Sequence, residues 1–240
     1  MIGFRDIHAH FVYGVDDGAQ TREDMFNMLD ASYRDGVTDL CATPHVTPGV
    51  KPFDGLSFSR HFEMAQEYCR KKGYPIQLHA GAEILYTPAM TRYAEDGQLP
   101  TLGNTPYALM EFVPDISLKE AVYAIEMMEH AGYQLILAHI ERYSCMFHGN
   151  AYRIKEAHNV RYQINSATVI EKKRFLKARE IRGWLQDELI DYIGSDQHNC
   201  TSRRTRIHEA YEILRSEYNP RYANKLVGMN RKRHDNQKTG

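Results

Sequence analysis

Seven short apolar runs, separated by stretches of helical period, restrict this sequence more than any other feature. They lie near residues 4–10, 38–45, 76–84, 107–112, 134–141, 161–167 and 191–197. Each has strand length and is rich in β-branched or aromatic residues. Between them, apolar residues recur three or four positions apart. Met25, Met28, Leu29 and Ser32 share one face of a helix predicted over 22–35, and Leu118, Val122, Ile125 and Met128 one face of 117–131. Gly36, Gly73 and Gly132 follow helical stretches where a C-terminal cap is expected. A final helix is predicted over 203–217, with Ile207, Ala210, Tyr211 and Leu214 as its stripe. Strands alternating with helices imply a parallel sheet. With enough units to close, the expected fold is α/β, a distorted (βα)7 barrel of TIM-barrel-like form.

Barrels of this kind gather their chemistry at the carboxyl ends of the strands. Here those ends carry His8 and His10 (with Asp16 and Asp17 following), His45, Glu83, Glu111, His139 with Arg142 just beyond, Asn165, and Asp196 with His198. Residues i and i+2 of a strand point to one side, so His8 and His10 form a two-imidazole clamp, and Asp196 and His198 repeat it. Glu83 sits in HAGAEIL and Glu111 in YALMEFV. A carboxylate in such a run is costly unless paired or coordinated. Mixed imidazole and carboxylate donors suit Mn, Fe, Zn, Co or Mg and exclude a thiolate site. About nine donors exceed the needs of one ion, so a multinuclear centre with a bridging carboxylate follows. His61, His79, His130, His148, His158, His208 and His234 read as ordinary core, surface or tail residues.

Composition narrows the function classes. The 240 residues are 42% apolar and 25% charged, an ordinary balance for a soluble globule. One domain over 1–228 is expected, followed by a polar, frayed tail over 229–240. A net charge of −1 supplies no cationic field for nucleic acid. Cys41, Cys69, Cys145 and Cys200 have no zinc-finger spacing, and a reduced cytoplasm is the expected setting. The opening MIGFRDIHAH lacks the apolar core of a signal peptide, and no stretch has the length of a membrane span.

At the strand-end residues the sequence resembles the polymerase and histidinol phosphatase (PHP) family. Within it, the likeness is to bacterial protein-tyrosine phosphatases of the CpsB/YwqE kind, associated with capsule and exopolysaccharide control. The blocks that carry it are DIHAHFVYGVDDGAQT, ATPH (42–45), AGAEI (80–84), LPTLGNTPYALMEF (99–112), ILAHIERY (136–143), QINS (163–166) and GSDQHN (194–199), in the family's order. The resemblance implies three divalent metal ions, manganese by the family's habit. His8, His10, Glu83 and Asp196 would hold the first, and Glu83, Glu111 and His139 the second, with Glu83 bridging. Asp17, His45 and His198 would hold the third. It also implies that Arg142 and Arg203 bind phosphate, with Asp196 and His198 taking part in catalysis. The reaction would be phosphate-monoester hydrolysis by water activated at the metals. The partner would be a phosphotyrosine protein or peptide, for instance a capsule-associated tyrosine kinase, with the chain acting alone or as a homo-oligomer. Departures from the family pattern, Ile140 and Gln197 among them, remove no ligand.

Other readings are weaker. Histidinol-phosphate hydrolysis uses the same fold and metals but fits the local blocks less well. Amidohydrolases also open with His-x-His, yet carry a lysine or further histidine where Glu83, Glu111 and Asn165 stand. A non-catalytic binding module has no need of every ligand and both arginines. Cys200 and Arg206 have the Cys-x5-Arg spacing of cysteine-dependent phosphatases, but CTSRRTR lacks the glycine that such an anion cradle requires.

Overall fold

The structure is a computed structural model that describes residues 3–103, 105–171 and 177–229. The first half runs β1 (Phe4–Ala9), α1 (Arg22–Arg34), β2 (Val37–Ala42), β3 (His45–Val46), α2 (Gly55–Lys72), β4 (Gln77–Ala80), β5 (Glu83–Leu85), α3 (Met90–Glu95) and β6 (Tyr107–Glu111). The second runs α4 (Leu118–His130), β7 (Gln134–Leu137), α5 (Asn150–Ala157), β8 (Val160–Asn165), α6 (Ser166–Ile170), α7 (Ala178–Gln186), β9 (Tyr192–Gly194), α8 (Ile207–Glu217) and α9 (Pro220–Leu226).

Every ladder between these strands is parallel. One sheet has the order β1-β2-β4 and the other β3-β5-β6-β7-β8-β9. The chain beyond β9 returns to β1. The His10 N–H donates to the Gln197 carbonyl at 2.8 Å, and the Asp196 N–H donates to the His8 carbonyl at 2.8 Å. The result is an α/β fold whose parallel sheets curve around a shared interior.

Two predicted strands are split, at 38–45 and 76–84. Pro44 has no N–H to donate and separates β2 from β3. Gly81 separates β4 from β5, because the backbone there passes so near Leu102 that a Cβ would stand 2.8 Å from its side chain. His45 and Glu83 therefore open short second segments rather than ending long ones, and they pair directly in the ladder.

The helices follow their sequence cues with two shifts. Thr21 and Asp24 form a reciprocal cap that starts α1, and Met25, Met28, Leu29 and Ser32 are buried. Ser117 and Glu120 do the same for α4, but its buried face is Ala121, Ala124, Ile125 and Met128. Leu118 turns outward, because the two alanines permit closer packing than the longer side chains. The last predicted helix begins at Ile207 rather than 203. Asp35 accepts from the Thr205 hydroxyl and the Ile207 N–H, both at 2.7 Å, and so sets that start. The preceding residues stay in a loop, and α9 follows without having been foreseen.

A large apolar core lies between strands and helices, with Trp184, Tyr143, Tyr162 and Tyr222 among its fully buried side chains. A smaller cluster of Ile7, Cys41, Leu109, Ile136 and Ala138 fills the middle of the interior. No helix among the described residues is long and apolar enough to cross a membrane. Of the tail expected over 229–240, residues 230–240 lie outside the described residues.

Candidate metal centre

Above that small apolar cluster, the carboxyl ends of the strands bring the predicted donors together. Glu83 is fully buried, and its Oε2 is the hub. It lies 3.1 Å from His8 Nε2, 3.2 Å from His10 Nε2 and 3.2 Å from His45 Nδ1. Its Oε1 lies 2.7 Å from His139 Nε2. Glu111 reaches the same region, 3.0 Å from His45 Nδ1 and 3.7 Å from His139 Nε2. Asp196 Oδ1 is 3.6 Å from His8 and 3.7 Å from His10. At the outer edge, Asp17 Oδ1 lies 3.3 Å from both His45 Nε2 and His198 Nε2.

Three groups have donor atoms within 4.8 Å of one another: His8, His10, Glu83 and Asp196; His45, Glu83 and Glu111; and His10, Asp17, His45 and His198. The first is the quartet anticipated from sequence. In the second, His45 stands where His139 was anticipated, although His139 is also in reach of both carboxylates. In the third, His10 joins the anticipated trio.

The donors arrive by different routes. The register of β1 against β2 slips between Asp6 and Ala9, and this irregularity lets Ile7 enter the small apolar cluster while both His8 and His10 face Glu83. Simple alternation does not account for Asp196 and His198, because β9 ends at Gly194. Asp196 has φ 52 and His139 φ 28, left-handed values rare for side-chain-bearing residues. Such strain gathers at functional sites, held by the surrounding structure.

The electrostatics show what the cluster lacks in protein groups alone. Burial pulls the His8 imidazole down, but the Glu83 and Asp196 carboxylates more than reverse this and raise it to about 10. Burial likewise opposes a charged His45, yet Glu111 and Glu83 raise it to about 9. His198 goes the other way, to about 4, through burial and the neighbouring His10. Glu83 is held well below the ordinary carboxyl range: burial opposes this, and His8 and His139 override it. The carboxylates thus draw positive charge onto the imidazoles. Divalent cations offer that charge to the same lone pairs, displacing the protons. Two orphaned atoms agree. Glu83 Oε2 and His198 Nε2 are buried without a hydrogen-bond partner, although other donors crowd them. The residues present fit divalent metal.

Sequence reasoning placed Asp16 and Asn165 at strand ends but gave them, Gln163 and Tyr143 no part in aiming the donors. Asp16 Oδ2 accepts from His10 Nδ1 at 2.7 Å and from the His45 N–H at 3.1 Å. Gln163 Oε1 accepts from the His139 N–H at 2.8 Å and meets His8 Nδ1 at 3.1 Å. Its amide donates to Asn165, which donates to Asp196 Oδ2 at 2.9 Å. The Tyr143 hydroxyl lies 3.1 Å from His139 Nδ1. Such outer partners fix the ring that presents the other nitrogen to a metal. A signal existed: Gln163 is two residues before Asn165 on one strand, hence on its inward face.

Both anticipated arginines stand at the rim on opposite oxygens of Asp196. Arg142 Nη2 is 2.5 Å from Oδ2, and Arg203 Nη2 is 3.0 Å from Oδ1. Their side chains remain 42% and 38% exposed, so both forks are open to an incoming anion. The competing cysteine site does not form. Cys200 is exposed and its thiol is raised, by partial burial, rather than lowered. Arg206 is engaged by Glu209 and Glu171.

Comparison with known proteins places this geometry. Residues 4–234 match the profile of a family described as capsular polysaccharide synthesis, CpsB/CapC. The tyrosine-protein phosphatase CpsB of Streptococcus agalactiae is 32% identical over 228 residues, covering 92% of this chain and 93% of that protein. The tyrosine-protein phosphatase YwqE of Bacillus subtilis is 29% identical over 224 residues, covering 89% and 84%. A crystal structure described as YwqE from Bacillus subtilis and CpsB from Streptococcus pneumoniae, unique metal-dependent tyrosine phosphatases, matches with TM-score 0.83. It is 25% identical and covers 93% of this chain and 91% of that one.

Proposed function

The chain belongs to the CpsB/CapC family, and from that premise we propose that it is a metal-dependent protein-tyrosine phosphatase acting on a protein of capsule or exopolysaccharide synthesis. The observation that carries the reading is the buried Glu83 carboxylate with three imidazoles around one orphaned oxygen, beneath two solvent-facing guanidinium groups. The reading takes three cations. His8, His10, Glu83 and Asp196 would hold one; Glu83, Glu111 and His139, with His45 beside them, would hold another; Asp17, His45 and His198, with His10 beside them, would hold the third. Manganese heads the candidates, and Fe, Zn, Co and Mg suit the same oxygen and nitrogen donors. The two sheets read as one distorted (βα)7 barrel, since β3 and β5 carry on the layers of β2 and β4, and Ala9 bridges Gln197.

Bound cations supply Lewis-acid polarisation of the phosphoryl group and a more acidic water. The chain's own residues do the rest. Arg142 and Arg203 bind the phosphate oxygens through planar forks and hold the phosphorus in position as charge spreads over those oxygens. Asp196 keeps both forks aimed while Asn165 steadies its other side. Gln163, Asp16 and Tyr143 prevent the imidazoles from turning. A tyrosyl oxygen, with a pKa near about 10, leaves with less protonation than an alkoxide needs. A tyrosine kinase of the capsule-synthesis machinery is the partner this reading proposes; the family's description, capsular polysaccharide synthesis, supports the setting. The four unpaired cysteines accord with a reduced cytoplasm as its setting.

The test is metal analysis of the purified protein beside assays on a phosphotyrosyl peptide and on histidinol phosphate. Chelation is expected to abolish turnover of the peptide and added Mn2+ to restore it, with histidinol phosphate the poorer substrate. No hydrolysis of either with Mn2+, Fe2+, Zn2+, Co2+ or Mg2+ overturns the reading.

A further inference from the structure

A cleft of about 570 Å³ opens beside the metal centre, lined by Gly14–Asp17 and Gln20, by His45 and Thr47, and by Lys51–Asp54. Its lining therefore includes metal-centre residues: Asp17 and His45 are donors of the outermost group, and Asp16 orients His10 and His45. Phe53, half-buried, also lines it, with its ring 5.6 Å from that of Phe58. The segment bearing it is held in place. Thr47 bridges Lys51, and its carbonyl accepts from the N–H groups of Val50 and Lys51, both at 3.2 Å.

Arg203, which is not among the residues lining the cleft, approaches Asp17 with Nη1 3.7 Å from Oδ2. A phosphate held by the arginines and the metal centre thus has its anionic oxygens toward Arg142 and Arg203. The cleft is the space that remains, past Asp17 and His45, for the group esterified to it.

We propose that this cleft is the aryl subsite, taking the phenyl ring of a phosphotyrosyl residue against Phe53, and that it makes the enzyme prefer phosphotyrosine to phosphoserine. The inference rests on the phosphatase reading above. A tyrosyl group carries its ring directly on the phosphate oxygen, and so places an aryl face in a cleft that begins at Asp17 and His45, while a seryl ester offers only a methylene there. Offset or edge-on contact between the two rings rewards an aryl ester selectively. Lys51, exposed and without an ion pair among the described residues, stands at the same opening. Its ammonium meets acidic side chains flanking the phosphotyrosine.

The test uses the full-length, Mn2+-loaded protein and the variants Phe53→Ala and Phe53→Leu. The leucine retains apolar packing on Phe58 and removes only the flat ring, so a folded variant is at hand if alanine loosens the segment. Matched phosphotyrosyl and phosphoseryl peptides give a selectivity ratio of kcat/KM values. Calorimetric binding of phenylphosphonate and methylphosphonate gives a readout independent of turnover. Both variants are expected to lower the phosphotyrosine-to-phosphoserine ratio, by about tenfold for alanine, and to weaken phenylphosphonate more than methylphosphonate. Lys51→Glu is expected to penalise acidic-flanked peptides over neutral ones by severalfold. An active wild type whose ratio is unchanged by either Phe53 substitution overturns the subsite alone. A wild type that hydrolyses no phosphotyrosyl peptide overturns the phosphatase reading and the subsite with it.

Discussion

At an opening away from the metal centre, lined also by Tyr107 and Tyr192 where β6 and β9 begin, His79 and Asp39 face each other at 3.5 Å, with 31% and 30% of their side chains exposed. At the carboxyl ends, His8, His10, His139 and His198 meet Glu83 and Asp196 with 3% exposure or less. The residue types are the same, and the small apolar cluster of Ile7, Cys41, Leu102, Leu109, Ile136 and Ala138 fills the interior near both. Water screens the first pair, so it contributes little. The second group is desolvated, mutually crowded and partly orphaned, which a protein sustains only where another charge completes it. Burial with unmet coordination, rather than the presence of histidine and carboxylate, distinguishes a metal centre from an ion pair.

Substitutions at the two places test that contrast. The largest loss is expected at the hub: Glu83→Gln keeps the shape, removes the charge and should cost more than about a hundredfold in turnover, with metal content falling in parallel by elemental analysis. Glu111→Ala and His139→Ala should remove most activity too. Wild-type turnover at full metal occupancy in any of these would erase the distinction. Next come Arg142→Ala and Arg203→Ala, each expected to lower kcat/KM by about a hundredfold with metal content intact; loss of metal instead would show that the guanidiniums support Asp196 rather than substrate. Gln163→Leu leaves every donor in place but frees His8 and the His139 backbone, so titration should show metal affinity about tenfold weaker. The smallest effect belongs to the exposed pair. Asp39→Asn should leave activity unchanged and alter stability by less than about 1 kcal/mol. Hydrogen bonding to His79 holds the Asp39 carboxyl below its ordinary value. Its contribution is therefore present above about pH 4, and lost as pH falls through the lowered value. Denaturant titrations at pH 7 and pH 3 should show the gap between wild type and variant closing in acid; a larger cost than this at neutral pH would mean the two places are not so different.

The alternation of strand and helix was legible in the order of residues because period two and period 3.6 are written locally, and local backbone geometry obeys them. The metal donors were legible for a related reason: a carboxylate inside YALMEFV or HAGAEIL has no cheap alternative to coordination. The slip in β1 that turns His8 and His10 together, the left-handed backbone at His139 and Asp196, and the convergence of His45 on Glu83 and Glu111 were not. Nor were Asp35 capping a helix far along the chain, or Gln163 joining two histidines from different strands. Each depends on contacts between segments remote in sequence, whose energies exist only after the sheets have closed. The chain's own order specified which groups would be available, and folding selected which of them share an atom's neighbourhood.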